Sequence, residues 1–194
     1  MKKATQSFVF AALMLLAFQV SAQATKWTLD KSHAKVGFAV THLLISDTEG
    51  YFKNVDASFT SSKADFTDAV IEFTAQIASV NTDNEGRDGH LQKEDWFDAA
   101  KFPTMTFKST SFVKGKGKTY TLKGNLTMHG VTKPVTLTAT FNGTAVHPYS
   151  KKTMAGFKIT GKIKRTDFGV GAGTPSSIVG EEVTITANVE FEKN

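Results

Sequence analysis

The residues that could carry chemistry are concentrated in two polar stretches of the chain. Arg87, Asp88 and His90 lie in the first stretch, and Arg165 and Asp167 lie in the second. A histidine close to a carboxylate can serve as a general acid and base, and a guanidinium group can bind an anion through two parallel hydrogen bonds. These two stretches are therefore where a catalytic or anion-binding site could form.

The two arginines also have a purely structural interpretation. A buried charge requires a partner whether or not a ligand is present. Arg87 could pair with Asp88, and Arg165 could pair with Asp167 or Asp98, which would fix a loop over one end of the fold. We favour these ion pairs over ligand contacts for each arginine.

Neither the histidines nor any catalytic motif indicates a specific reaction. The five histidines form no H-x-H or H-E-x-x-H pattern, and His90 with Glu94 is the nearest approach to a pair of metal ligands. Nucleophile-elbow, phosphate-loop and dinucleotide-binding motifs are missing from the sequence. The sequence thus predicts no required metal or cofactor and no enzyme, although His90 or His129 with Asp88 or Asp167 could still act as an acid and base.

Composition excludes several classes of protein. The chain has 194 residues, no cysteine and a formal net charge of +5. Without cysteine, neither disulfides nor thiolate metal sites can form. The positive charge is mild and dispersed, whereas nucleic-acid binding needs a clustered basic stripe, so we predict no nucleic-acid partner.

The N-terminal segment has the order of features found in a secretory signal peptide. Two lysines precede an apolar run at residues 8–20, and small residues follow at the spacing that signal peptidases cleave. The run is too short for a bilayer, which needs about 20 apolar residues. We predict that residues 1–24 are a signal peptide cleaved after Ala22 or Ala24, and that residues 25–194 form a single domain exported to a bacterial periplasm.

Alternation of apolar and polar residues with period two dominates the rest of the chain and predicts eight strands. The last strand is the clearest, because five apolar residues in the segment 183–191 alternate with polar ones. The segment 81–103 interrupts the pattern. We predict it to be a loop with one or two helical turns around residues 90–100, ended by Pro103.

Eight antiparallel strands with one apolar face each are expected to close into an all-β barrel, because closure removes exposed sheet edges. Small residues on the apolar faces, such as Ala57, Ala75 and Ala139, could leave a cavity or could fit the taper of a packed barrel. The pattern alone does not decide between these interiors. An outer-membrane barrel is the main structural alternative, but the chain lacks aromatic girdles.

Short motifs occur in a fixed order across the predicted domain. They are WTLD at 27–30, SH at 32–33, VGF at 36–38, SVNT at 79–82, RDGHL at 87–91, WFD at 96–98, FP at 102–103, GNLTMHGVTKPV at 124–135, RTDFG at 165–169, VTI at 183–185 and VE at 189–190. Each motif alone is weak, but their order and spacing together resemble the YceI-like family. Members of that family are exported, polyisoprenoid-binding, lipocalin-like proteins.

The resemblance implies an eight-stranded antiparallel lipocalin-like barrel, with a short helical loop at one end and a polyisoprenoid tail along the interior. It therefore favours a cavity over a packed interior. The lining residues expected on this basis are Phe38, Phe59, Ile71, Phe73, Phe107, Leu122, Leu126, Leu137, Phe141, Phe157, Ile159 and Ile185. The candidates for contact with a head group are Arg87, His90, Arg165 and Asp167.

As a function, the resemblance implies an exported lipid-binding protein that sequesters or carries a polyisoprenoid, such as a prenylated quinone or an isoprenoid pyrophosphate. The lipid is then a ligand and no cofactor is required. Transient contact with a membrane and a homodimer are further expectations. The alternative function is an enzyme that acts on an isoprenoid through the histidines and aspartates of the loops.

Overall fold

The computed structural model of the protein describes residues 23–194. The predicted signal peptide at residues 1–24 therefore lies outside the described residues, except for its last two positions. Within the described part of the chain, no helix is both long enough and apolar enough to cross a membrane.

The described residues form ten strands and one α-helix. The strands are β1 (Thr25–His42), β2 (Ser46–Phe52), β3 (Val55–Ser61), β4 (Val70–Gln76), β5 (Val80–Asn81), β6 (Thr104–Lys114), β7 (Thr119–Met128), β8 (Val131–Val146), β9 (Thr153–Lys164) and β10 (Val179–Lys193). The helix α1 spans Glu85–Leu91, and 3₁₀ turns occupy Ile77–Ser79 and Arg165–Phe168.

The ten strands fill eight positions around a closed antiparallel barrel, which confirms the predicted fold. β1 pairs with β10 on one side and so closes the sheet. On its other side β1 pairs first with β3, through residues 25–28, and then with β2, through residues 36–42. β2 and β3 are therefore two halves of one position, interrupted at residues 53–54. The short β5 pairs with β2 and follows β4 along the chain.

The alternation places apolar side chains inside the barrel and polar side chains outside. In β7, for example, Leu122 and Leu126 are buried, while Lys123 and Asn125 are exposed. Each inward apolar side chain removed from water stabilises the fold by roughly 1.5–3 kcal/mol. A polar exterior is the reverse of the outer-membrane arrangement, whose outer face is apolar, so that alternative is wrong for this barrel.

The helix begins earlier than the sequence predicted. It spans Glu85–Leu91, whereas we predicted helical turns at residues 90–100. The Asn84 side chain caps it by accepting a hydrogen bond from the Arg87 amide at 2.9 Å. Two glycines inside the helix lower its intrinsic propensity, so the cap is the signal that identifies it. The chain after the helix instead forms turns, one of them with Asp98 at a positive φ of 48°.

The two ends of the barrel are built differently. At one end, here called the aromatic end, the β3–β4 loop turns Phe66 inward with a positive φ of 59°. Its ring meets those of Trp27 at 5.5 Å and Phe59 at 5.4 Å between centroids. The Tyr120 hydroxyl holds this loop in place by donating to the Asp65 carbonyl at 2.9 Å. Interlocking aromatic rings therefore close this end.

The opposite end, here called the loop end, is covered by longer segments. The β5–β6 segment containing α1 meets the β9–β10 loop, where the Gly171 amide donates to the Asp95 carbonyl at 2.9 Å. The β1–β2 turn joins the same loop through the Leu43 amide, which donates to the Ile178 carbonyl at 2.9 Å. The loop end thus consists of connections between strands, held together mainly by backbone hydrogen bonds.

Candidate functional site

A cavity of about 220 Å³ lies inside the barrel. This exceeds the volume of about 150 Å³ at which an engineered apolar cavity already binds benzene. Eleven of the twelve residues predicted to line the barrel lie on its wall. They are Phe38, Phe59, Ile71, Phe73, Phe107, Leu122, Leu126, Leu137, Phe157, Ile159 and Ile185. Their placement resolves the question of a packed or hollow interior in favour of a hollow one, whereas their contact with a ligand stays a prediction.

The cavity wall presents hydrocarbon to its interior. Among the described residues that form it, no polar atom is exposed on the wall. Phe38, Ile71 and Phe73 pack against the core yet remain only half-buried, since they also border the empty space of the cavity. A molecule held here would gain free energy by leaving water and would find no hydrogen-bond partner along its length.

Phe141, the twelfth residue predicted to line the barrel, does not lie on the cavity wall, and its contact with a ligand stays a prediction. Its ring packs against Phe66 at 5.4 Å and Phe157 at 5.2 Å between centroids. Phe141 is the direct cross-strand partner of Phe157 and so points to the same inner face, but the inward-turned Phe66 ring packs against it at this end of the barrel. Phe141 therefore belongs to the aromatic end and supports Phe157, which does reach the cavity.

The sequence prediction missed the residues that cover the cavity at the loop end. Leu91, Trp96 and Phe97 from the β5–β6 segment lie on the wall, together with Val170 from the β9–β10 loop. Trp96 is buried although the stretch around it is rich in charge. Alternation could not reveal these positions because they are not in strands. The one available signal was the presence of two adjacent large aromatic residues in a polar loop.

Arg165 is a structural residue at the boundary of the cavity. The residue is buried, with a relative exposure of 3%. Its guanidinium carbon lies 5.5 Å from the Trp96 ring centroid. All five of its N–H groups are used, because they donate to the backbone carbonyls of Val170, Gly171, Thr174, Val179 and Gly180. Burial lowers the pKa of Arg165 below its ordinary value.

The ion pairs predicted for Arg165 with Asp167 or Asp98 are wrong. Asp167 is half-exposed and lies 3.7 Å from the Lys133 ammonium group instead. The planar guanidinium fork can satisfy several carbonyl dipoles at once, so the β9–β10 loop supplies its partners without a carboxylate. Arg165 consequently has no free N–H group for a ligand, and Asp167 faces solvent outside the cavity.

Arg87 forms a network with a threonine instead of the predicted ion pair with Asp88. Its guanidinium donates to the Thr82 hydroxyl at 2.8 Å and to the Thr82 carbonyl at 2.7 Å. Asp88 accepts from the Thr82 amide and hydroxyl at 2.8 and 2.6 Å. Both charged groups therefore stabilise the start of α1 by way of Thr82, and neither lies on the cavity wall.

The acid–base pairs considered for an enzyme do not form among the described residues. His90 lies 3.6 Å from Asp95 on the exposed surface, and its ring meets the edge of Trp96. His129 approaches the Phe168 carbonyl at 3.2 Å through Nδ1. Neither histidine meets Asp88 or Asp167, and neither lies on the cavity wall.

A second cluster of polar groups lies outside the cavity, on the outer surface near the aromatic end. Asp30, His33 and Glu190 bring one potential ligand atom each within 4.8 Å of one another. The Asp30 carboxylate accepts from the Ser32 amide at 2.9 Å and hydroxyl at 2.6 Å, and it lies 2.9 Å from His33 Nδ1. The search for metal-ligand motifs in the sequence did not find this cluster, because Glu190 in β10 is far along the chain from Asp30 and His33.

The hydrogen bonds within this cluster shift both pKa values. Those from Ser32 and then His33 lower the pKa of Asp30 to about 2, and the Asp30 carboxylate raises the pKa of His33 above its ordinary 6.5. The contribution of protonated His33 to stability is therefore present below pH 6.5 and lost as pH rises through its raised pKa. The contribution of the ionised Asp30 carboxylate to stability is present above pH 3.8 and is lost as pH falls towards about 2.

Replacing Asp30 with asparagine is expected to return the pKa of His33 towards 6.5, because the carboxylate that favours the imidazolium is removed. Titration of the imidazole resonances by NMR measures this change residue by residue. An unaltered titration of His33 in the variant would contradict the assigned cause.

Comparison with known proteins agrees with the geometry. The family model of the YceI-like domain, which describes the sequences of that family, matches residues 27–191 of this chain. Protein YceI of Salmonella agona (strain SL483) is 39% identical over 192 residues, which cover 98% of this chain and 97% of that protein.

Two solved structures have the same fold. BcnA of Burkholderia cenocepacia superposes with a TM-score of 0.74 at 27% identity, covering 84% of this chain and 98% of that one. A polyisoprenoid binding domain from Saccharophagus degradans, implicated in plant cell wall breakdown, superposes with a TM-score of 0.64 at 16% identity, covering 87% and 98%. The latter likeness shows the fold alone. Since the domain match extends over nearly the whole described barrel, the chain belongs to the YceI-like family.

Proposed function

We propose that this protein is an exported lipid-binding protein that sequesters or carries a polyisoprenoid in the barrel interior. The observation that supports the proposal is the cavity wall, which exposes hydrocarbon from strands all around the barrel and no polar atom of the described residues. A ligand that fits such a wall is apolar along most of its length. The proposal includes no cofactor.

The apolar wall also favours a binding mode in which the prenyl tail enters the cavity and the head group stays outside. Burial of apolar surface contributes roughly 25 cal/mol per Å², so a prenyl tail gains affinity from its length alone. A polar head group would lose its hydrogen bonds to water and gain none inside, so it would stay at the loop end. Because every N–H group of Arg165 is already bonded, a quinone or pyrophosphate head group would contact exposed groups such as Arg87 or His90.

The family and the structural neighbours support binding over catalysis. The Saccharophagus degradans domain described as polyisoprenoid binding has the same barrel, and we extend its ligand class to this chain as part of the proposal. The wall offers neither a nucleophile nor a free acid or base, so the bound tail would meet no reactive group. We therefore propose transport or sequestration without chemical change.

Export is the second part of the proposal. It depends on the sequence of residues 1–24, where a positive start, an apolar run and small residues follow in order. A bacterial periplasm is the compartment that suits such a leader on a cysteine-free chain. A homodimer remains an expectation from the family resemblance.

The affinity of the purified protein for a series of prenyl alcohols tests the binding proposal. We expect the dissociation constant to fall by roughly tenfold for each added isoprene unit until the tail fills the cavity. Because the driving force is apolar, the affinity should be nearly independent of salt. Calorimetry on geraniol, farnesol and geranylgeraniol measures both properties. Affinity that is independent of tail length would contradict the proposal.

A further inference from the structure

The loop end carries a group of exposed apolar side chains that the described part of the chain does not cover. Leu43, Leu44 and Ile45 in the β1–β2 turn are 49%, 71% and 83% exposed, and Ile178 in the neighbouring β9–β10 loop is 44% exposed. The hydrogen bond from the Leu43 amide to the Ile178 carbonyl holds the two segments together. These four residues, here called the apolar rim, form one continuous projection.

The backbone of the turn presents two leucines to solvent in an unfavourable conformation. Leu43 and Leu44 have positive φ angles of 51° and 63°, a region that residues with a side chain rarely adopt. Asparagine or glycine would fit this turn better. The local geometry alone therefore does not account for large apolar side chains at its tip.

The charge distribution around the apolar rim fits the hydrocarbon of a lipid layer. Residues 43–46 and residues 169–180 contain no ionisable side chain, so no charge would enter a membrane with the rim. The nearest ionisable residues along the chain are His42, Asp47 and Glu181, all of them exposed. Residues 42–47 and 169–181 contain no lysine or arginine, so these segments lack the basic cluster that attracts anionic lipids. This pattern fits shallow and reversible insertion into a neutral, zwitterionic surface.

The apolar rim is also continuous with the cavity wall. Val40 and Val183, paired across β1 and β10, lie on the wall, and so does Val179, the residue after Ile178. An apolar surface thus extends from the exposed tip of the turn to the inside of the barrel. A second copy of the chain is a poorer occupant, because a stable interface uses roughly 20–30 residues from each partner.

We propose that the apolar rim inserts into the surface of a lipid bilayer and brings the loop end of the barrel against it. There a prenyl tail could pass between the bilayer and the cavity with little exposure to water. This inference depends on the proposed function, since it assigns the surface through which the barrel would load or unload its lipid.

Flotation with phosphatidylcholine vesicles tests the inference. The variant Leu44→Ser/Ile45→Ser removes the two most exposed apolar side chains of the rim. The matched control Val146→Ser/Tyr149→Ser removes two comparably exposed apolar side chains, 65% and 89%, from the aromatic end. We expect the first variant to bind vesicles at least about tenfold more weakly than the unmodified protein, and the control variant to bind equally well. Equal binding by all three proteins would overturn the inference.

A fluorescent label reports the orientation directly, and the absence of native cysteine makes single-site labelling simple. Ser46→Cys places an environment-sensitive dye beside the apolar rim, and Ser150→Cys places it at the opposite end of the barrel. Both serines are exposed, so both positions should accept the label. We expect vesicles to shift the emission of the Ser46→Cys protein to the blue and to leave that of the Ser150→Cys protein unchanged. The reverse result would overturn the inference.

Farnesol binding without vesicles separates the two proposals. The Leu44→Ser/Ile45→Ser variant should bind farnesol as the unmodified protein does, because neither residue lies on the cavity wall. If the unmodified protein fails to bind farnesol, the proposed function fails, whatever the vesicles show. If it binds farnesol but does not float with vesicles, the membrane inference alone fails. A dimer in sedimentation equilibrium that the rim variant abolishes, without flotation, would assign the rim to a subunit interface and also overturn the inference.

Discussion

Binding of prenyl alcohols is expected to be lost when Ile159 is replaced by tryptophan. Ile159 lies on the cavity wall in β9, and its cross-strand neighbours are Ala139 in β8 and Ala187 in β10. Because both neighbours are small, the indole ring would extend into the empty interior and occupy the space of the tail. We expect the affinity for farnesol to fall at least about 100-fold, since most of the apolar contact area would be lost.

The adjacent position supplies a matched control for this substitution. Lys158 precedes Ile159 and its side chain points to solvent, so Lys158→Trp adds the same ring to the outside of the same strand. Calorimetry with farnesol should show unchanged affinity for Lys158→Trp. Thermal unfolding checks that Ile159→Trp keeps the fold, since overpacking costs about 1–3 kcal/mol where space is short. A folded Ile159→Trp protein that binds farnesol normally would show that the tail lies elsewhere.

The second large effect is expected on stability, from replacing Arg165 with methionine. Methionine fills part of the same space with an unbranched apolar side chain, but it has none of the five N–H groups that donate to the carbonyls around the β9–β10 loop. Buried carbonyls without partners are costly, and we expect the free energy of unfolding to fall by about 3–5 kcal/mol. Urea denaturation measures the change.

A conservative substitution separates this structural role from contact with a ligand. Arg165→Lys retains the charge but has three donors on a single nitrogen, which cannot reach five separated carbonyls. We therefore expect Arg165→Lys to lose a large part of the same stability while its folded fraction keeps farnesol affinity. A lysine variant of normal stability that binds ligand poorly would instead make Arg165 a ligand-binding residue.

The architecture could be predicted because it depends on a pattern with a single physical cause. Period-two alternation reflects side chains that point alternately to the core and to solvent, and it recurs in every strand that surrounds the cavity. The division of one barrel position into β2 and β3 was not predicted, because the sequence prediction placed Tyr51 on the same apolar face as Val55. In the structure Phe52 is the buried residue of β2, so the inward-facing phase changes between the two strands. What interrupts the strand is a change of pairing partner along β1, which no local pattern records.

The cavity wall was predictable where strands form it and unpredictable where loops do. Phe107 and Leu126 alternate within their strands and reach the wall as expected. Phe141 follows the same alternation, but it packs against Phe66 from the β3–β4 loop, and alternation within a strand does not record that contact. Trp96 lies on the wall by long-range packing against Arg165, and a sequence pattern does not contain that contact.

The partners of the charged loop residues also could not be predicted from the sequence. Residue types suggested ion pairs for Arg87 and Arg165, but hydroxyl and carbonyl groups of the fold are their partners. Charge can be read from a sequence, whereas the positions of backbone carbonyls depend on the completed structure. A charged residue in a loop is therefore a weaker indicator of a ligand site than an apolar residue in a strand is of the core.

The central claim is that the barrel holds a polyisoprenoid, and the most direct test is native mass spectrometry of the protein purified from its own host without detergent. We predict a fraction of molecules heavier than the polypeptide by one defined mass, and organic extraction should release a lipid of that mass with a prenyl tail. The Ile159→Trp protein, purified in parallel, should lack the adduct. A species with the mass of the polypeptide alone, or a bound molecule without a prenyl tail, would contradict the account.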